Sequence, residues 1–163
     1  MNKIALIVGV SCSGKDHLLS VLNTYNILNY GPALFHVKDT QKLNRTIVSM
    51  QPVVVNTHMV ISDNEDYVIH PKSDATLLPV LYVHISAPPK EILERRLANI
   101  RNRKELIETK DKIELHQKLS ERITSEIAKH YGSTYIKIWN DNKNESRNIK
   151  KLNNILNKYV YDK

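Results

Sequence analysis

Two of the chain's four glycines frame the stretch Gly9-Val10-Ser11-Cys12-Ser13-Gly14-Lys15-Asp16, directly after the apolar run Ile4 to Val8. The pattern G-x-x-x-x-G-K, placed between a strand and a helix, constrains the fold more than any other stretch. Gly9 and Gly14 permit backbone angles that other residues resist. The loop can then turn its N–H groups inward as an anion nest. The helix that follows adds the positive end of its dipole. Lys15 is placed to reach the β- and γ-phosphates of ATP and to neutralise charge during transfer. The whole loop, Gly9 through Asp16, is therefore the expected ATP site. His17, next in sequence, is a candidate to approach a phosphate or a base.

Strand-like and helix-like segments alternate along the rest of the chain. Ile4 to Val8 has no polar alternation, as expected for a strand buried on both faces. Asp16 to Asn23 reads as a helix, Ala33 to Val37 as a strand, and Lys38 to Met50 as a helix. Pro52 to Val55 reads as a strand. Met59 to Leu78 is irregular and polar, carries Pro71, and reads as a long loop. Val80 to Ile85 is a strand, and Pro88 and Pro89 open a helix that runs to about Ile100. Lys110 to Tyr131 is an amphipathic helix with Ile113, His116, Leu119, Ile123 and Ile127 on one stripe, stopped by Gly132. Thr134 to Trp139 is the last strand and Glu145 to Tyr159 the last helix. The expected architecture is a P-loop NTPase three-layer α/β fold, with a five-stranded parallel sheet, helices on both faces and a small arginine-rich lid. Ligands belong at the carboxyl ends of its strands. Residues 1–163 read as a single domain, with the lid at approximately 100–111 and a short acceptor-binding segment at approximately 38–51.

The residue after the P-loop lysine is usually Ser or Thr, whose hydroxyl binds Mg²⁺; here it is Asp16. A carboxylate is also a hard oxygen ligand for Mg²⁺, and it suits a helix start. Asn56 stands at the end of Val53-Val54-Val55, where such enzymes commonly place an aspartate. The two departures read as an exchange that moves the carboxylate from one side of the ion to the other. Phosphoryl transfer also needs cations around the moving charge. Arg96 falls between Leu93 and Ile100 on an apolar stripe, and an inward cation calls for an anionic partner. Arg101 and Arg103 lie just beyond that helix, where a lid can start. Lys15, Arg96, Arg101 and Arg103 are the expected catalytic cations, whereas Arg95 and Lys104 read as solvated.

A formal net charge of +7 suits an anionic partner, although a Lys- and Asn-rich composition yields such a balance by itself. No aromatic interleaving accompanies the charge, so nucleic acid is not the expected partner. The single cysteine, Cys12, excludes a disulfide within the chain and reads as a small loop filler. The histidines show no metal-ligand spacing. His36 and His84 alternate with apolar residues and read as packed side chains, as does Trp139. The N-terminal apolar run is too short for a secretory signal, and no stretch approaches the ~20 apolar residues that span a membrane. A cytoplasmic protein is expected.

Three stretches together resemble archaeal-type adenylate kinases. They are the phosphate loop, Val53-Val54-Val55-Asn56-Thr57-His58 (similar to V-x-V-D-T-H), and Glu91-Ile92-Leu93-Glu94-Arg95-Arg96-Leu97 with Arg101-Asn102-Arg103-Lys104 and His116-Gln117. Tyr135 to Asn140 is similar to that family's last strand. The resemblance implies reversible, magnesium-dependent transfer from ATP to a nucleoside monophosphate, most simply AMP. It implies that Arg96, Arg101 and Arg103 clamp phosphates and that the turn after Asn140 lies beside the adenine. Lys38 and Arg45 are offered as acceptor-phosphate binders, with His58 lining the acceptor pocket. The G-K-D sequence is also similar to ribose bisphosphate phosphokinases, which makes a sugar phosphate the alternative acceptor. A nucleotide-binding protein without catalysis is the alternative of another class.

Overall fold

The computed structural model describes residues 2–29, 40–63, 66–69, 77–99 and 109–162. The elements run β1 (Ile4–Val8), α1 (Lys15–Ser20), β2 (Ile27–Asn29), α2 (Thr40–Ser49), β3 (Val53–Asn56), β4 (Val60–Asp63), β5 (Asp66–Ile69) and β6 (Leu81–Ser86). They continue with α3 (Pro89–Ala98), α4 (Lys110–His130), β7 (Thr134–Trp139) and α5 (Glu145–Leu156), which ends in a π-helical turn, Asn157–Tyr161.

The main sheet has five strands in the order β2-β3-β1-β6-β7, all parallel. The three central strands β1, β3 and β6 are buried along their whole length, which is why their sequences are apolar on both faces. Alternate residues feed opposite layers. Ala5 and Ile7 of β1 pack with Leu18 and Leu19 of α1 and Leu152 and Leu156 of α5. Ile4, Leu6 and Val8 pack with Leu43 and Ile47 of α2 and Ile123 and Ala128 of α4. The outcome is the expected three-layer α/β fold. Among the described residues, no helix is long and apolar enough to cross a membrane.

Three expectations need correction. First, the segment read as one long loop contains an antiparallel hairpin, β4 and β5, with Val60 opposite Ile69 and Asp63 opposite Asp66. Val60-Ile61 and Tyr67-Val68-Ile69 are β-formers flanking a short acidic stretch, a hairpin signal outweighed by the polar residues around it. Second, a strand that was not expected, Ile27–Asn29, lies beside β3; the expected strand Ala33–Val37 lies outside the described residues. Third, Trp139 is not core. It is 48% exposed, with Lys137 Nζ 5.9 Å from its ring centre. It ends the edge strand β7, and its neighbour Ile138 takes the buried side.

Candidate active site

Four strands deliver their carboxyl ends to one edge of the sheet. β1 runs into the loop 9–14, β3 ends in Asn56 and continues to Thr57 and His58, β6 ends in Ser86, and β7 leads to Asn140. Register fixes this convergence, since Ile7 pairs with Asn56 and Val8 with His84.

The loop itself is built by two glycines for different reasons. A Cβ on Gly9 would sit 2.5 Å from the Ile85 carbonyl oxygen and 2.8 Å from Ser13 Oγ, so only glycine lets the loop hug β6. Gly14 has φ +95°, a left-handed conformation, and a Cβ there would overlap the Asn140 amide. Cys12 also takes a positive φ of 65°.

Three successive loop carbonyls turn outward and each accepts a side-chain donor. Ser11 O accepts from Arg96 Nε and Nη2 at 3.4 and 3.2 Å. Cys12 O accepts from Arg95 Nη1 at 3.2 Å, and Ser13 O accepts from Asn140 Nδ2 at 3.1 Å. With these carbonyls tied to side chains and Ser13 N–H bonded to the Val10 carbonyl at 3.2 Å, the loop's course is fixed. The brace is itself anchored. Arg95 also donates to Glu91 and Asn142, and Asn140 accepts from Asn148 of α5.

Lys15 is 4% exposed, with Nζ 3.5 Å from His58 Nε2 and 3.7 Å from Asp16 Oδ1. His58 Nδ1–H donates to the Gly9 carbonyl at 2.8 Å. Burial, and then the charge of Lys15, hold the His58 imidazole down at about 3, so it is neutral at physiological pH. Asp16 is 72% exposed at the start of α1 and accepts from Asn56 Nδ2 at 2.7 Å. Asn56 also donates to Asn29 Oδ1. Ser13 Oγ, Asn56 Oδ1 and Thr57 Oγ1 are buried around this centre with no hydrogen-bond partner among the described residues. Orphaned buried oxygens are uncommon in folded proteins and mark places where a ligand or ion can complete the bonding.

The remaining expected residues lie as follows. Arg96 is 1% exposed, and its bonds to Ser11 put it behind the loop. His17 pairs with Glu145 at 2.8 Å on the surface, and Arg45 is an exposed residue of α2. Arg101, Arg103 and Lys38, with most of the expected lid, lie outside the described residues. Arg95, read as solvated, is corrected: it is half-buried and tied to the loop. Its position outside the apolar stripe points it at the loop, and the Glu91-Arg95 pair at i,i+4 was the available signal. Gln117, quoted in the resemblance without a role, is a further contributor. It clamps Ala87 from both sides, accepting from its N–H at 2.9 Å and donating to its C=O at 2.8 Å. His116 Nε2–H donates to the Val60 carbonyl and ties α4 to the hairpin.

No family model matches the chain. It is 26% identical over 159 residues to an adenylate kinase of Thermococcus onnurineus, spanning 78% of this chain and 81% of that protein. It is 25% identical over 162 residues to an adenylate kinase of Pyrococcus abyssi, spanning 80% and 82%. These relatives accord with the resemblance carried by the three sequence stretches. Among solved structures the fold is similar to the shikimate kinase of Acinetobacter baumannii in complex with shikimate (TM-score 0.55, 13% identity, 96% of this chain and 93% of that one). It is also similar to TT1252 from Thermus thermophilus (TM-score 0.51, 14% identity, 96% and 97%). The architecture is that of the P-loop kinases.

Proposed function

We propose that the chain is an ATP-dependent phosphotransferase that moves the γ-phosphoryl group onto a nucleoside monophosphate, with AMP the first candidate. The observation that carries this reading is the glycine loop, braced at three successive carbonyls, beside a buried Lys15. Similarity to two adenylate kinases along most of the chain supports the acceptor class. Lys15 binds the β- and γ-phosphates and neutralises charge in transfer. Arg96 and Arg95 act on the loop from behind, while Arg101 and Arg103 bring cations to the transferring group. Lys38 and Arg45 serve the acceptor phosphate, and the turn after Asn140 flanks the base of ATP, with His17 at its margin.

The donors around Asp16 fit a magnesium ion. Among the described residues no cluster of three His, Cys, Asp or Glu side chains could hold a metal alone. Mg²⁺ does not need one, because it is usually held by one or two carboxylates together with waters and substrate phosphates. Asp16 supplies the carboxylate, Asn56 orients it through the 2.7 Å bond, and the orphaned Ser13 Oγ lies in the same loop. Asp16, oriented by Asn56, would hold the ion, which would supply positive charge against the charge developing in transfer.

Asp16 also favours a second reading, a sugar phosphate acceptor, because the G-K-D sequence is similar to ribose bisphosphate phosphokinases. One experiment separates the two. ADP formation from Mg-ATP is measured with AMP, GMP, CMP, UMP, dTMP and ribose 1,5-bisphosphate, with Lys15→Ala as control. Stimulation by AMP, absent in the control, is expected. ADP release no faster with any acceptor than with water would remove the monophosphate kinase reading and leave a nucleotide-binding role.

A further inference from the structure

A single carboxylate oxygen ties three parts of the site together. Glu91 Oε2 accepts from Arg95 Nη2 at 3.1 Å and from the Asn142 backbone N–H at 3.0 Å. Arg95 Nη2 also donates to Asn142 Oδ1 at 2.7 Å, and its Nη1 donates to the Cys12 carbonyl at 3.2 Å. Glu91 therefore joins α3 to the turn beyond β7 directly, and to the phosphate loop through Arg95. Both side chains are partly shielded from water, unlike the exposed i,i+4 pair Lys90–Glu94 on the same helix. A carboxylate in the first turn of α3 suits the helix dipole wherever it points. The dipole does not account for its oxygen meeting a backbone donor 51 residues away.

Sheet order separates two flanks of the loop. β1 leads into it, with β3 on one side and β6 and then β7 on the other. Asn56 and His58, the neighbours of Asp16 and Lys15, come from the β3 side. Asn140 and Asn142 come from the β7 side, where Asn140 lies against Ser13 and Gly14. If the γ-phosphate of a donor meets Lys15 and Asp16, the flank left for its nucleoside is the one at the turn 140–142. We propose that Glu91 is a positioning residue for the donor's nucleoside: by fixing Arg95 and the Asn142 N–H together, it presets the turn that the nucleoside meets. The loop keeps its other braces, Arg96 and Asn140, whether or not Glu91 is present. The proposal rests on the phosphotransferase reading, and its test lets the two fail separately.

Two ligands divide the question. Mg-ATP spans both the loop and the turn, whereas Mg-tripolyphosphate carries the phosphates without a nucleoside. Their dissociation constants are measured calorimetrically for wild type, Glu91→Ala and Glu91→Gln, and thermal melting checks that each protein is folded. Glu91→Ala removes the acceptor shared by Arg95 and Asn142. It is expected to weaken ATP about 10-fold, the worth of about one hydrogen bond, while tripolyphosphate stays within about 2-fold. Glu91→Gln can place a neutral amide oxygen where Oε2 stands, and should keep ATP within about 3-fold of wild type. A role in stability alone would weaken both ligands together, so the ratio of the two constants is the deciding quantity.

Should Glu91→Ala fail to fold, Glu91→Asp takes its place. It keeps the charge but ends a methylene short of the two donors, and the same selective loss of ATP is expected. Equal weakening of ATP and tripolyphosphate overturns the proposal. So does an unchanged ATP constant, a Glu91→Gln variant as weak as Glu91→Ala, or a wild type that binds tripolyphosphate as tightly as ATP. Wild type that binds neither ligand removes the phosphotransferase reading, and the proposal with it. Wild type that binds both, with variants that lose both alike, removes the positioning role and leaves that reading standing.

Discussion

Acid should destabilise this protein through a residue buried in the sheet. His84 lies in β6 at the centre of the sheet and is fully buried, with Nδ1 3.0 Å from Ser86 Oγ and Nε2 3.0 Å from Ser120 Oγ. Burial, and then the charges of Lys137, His116 and Lys15, lower its pKa from 6.5 to about 3. In the unfolded chain the imidazole takes up a proton near its ordinary value. Between the two values the unfolded state binds more protons, so stability rises with pH through that window. The contribution is complete above about pH 6.5 and is lost progressively as pH falls toward about 3. From about pH 7.5 to about pH 5, His84 alone accounts for a loss of about 2 kcal/mol, from the 1.36 kcal/mol carried by each unit. In a domain of this size that is a fall of about 4–8 °C in Tm. The assay is urea unfolding of wild type and His84→Gln across the range. The variant starts less stable, because a shape-specific pair of serine bonds is gone. Its loss between the two ends of the range is expected to be smaller by about 2 kcal/mol. Other groups titrate in both proteins and cancel in the difference. Equal losses in the two proteins would refute the assignment of a neutral, buried His84.

Three further outcomes follow from the site. Gly14→Ala forces a left-handed alanine, at a cost of about 1–2 kcal/mol, and pushes Asn140 off the Ser13 carbonyl. Titration with a fluorescent ATP analogue should show binding reduced at least about 10-fold while urea melts show a still-folded protein. Arg96→Met removes both bonds to Ser11 from a buried position and should cost about 3 kcal/mol by urea unfolding, with Arg96→Lys recovering little because an ammonium lacks the guanidinium fork. Asp16→Thr should weaken the Mg²⁺ dependence of ATP binding by about 10-fold, and adding Asn56→Asp should restore it. Calorimetric titration of Mg²⁺ into the ATP complex reads this, and a double variant no better than the single one would remove the exchange of carboxylate and amide.

The phosphate loop was legible because its requirements are local. A glycine against β6, a left-handed glycine and a lysine at the helix start are all properties of one short stretch. The central strands were legible for a similar reason, since burial on both faces leaves an apolar run. What escaped depends on partners distant in sequence. Nothing around Arg95 says that Cys12 will present its carbonyl there, and nothing around Gln117 names Ala87. Trp139 was misread because an aromatic residue at a strand end looks alike on an edge strand and a central one, and strand order is not a local property. The hairpin at residues 60–69 was hidden for the opposite reason: its signal was local, but polar residues around it carried more weight.

The brace on the loop has a temporal consequence. Its donors lie 85, 83 and 127 residues downstream of the carbonyls they hold. A chain emerging from a ribosome makes the glycine loop before the groups that shape it, which arrive in sequence, first α3 and then the turn beyond β7. The full brace therefore forms only once β7 has docked beside β6. Long-range closure of this kind slows folding and makes it more cooperative. It also means that a chain cut short before Asn140 carries the motif without its full brace.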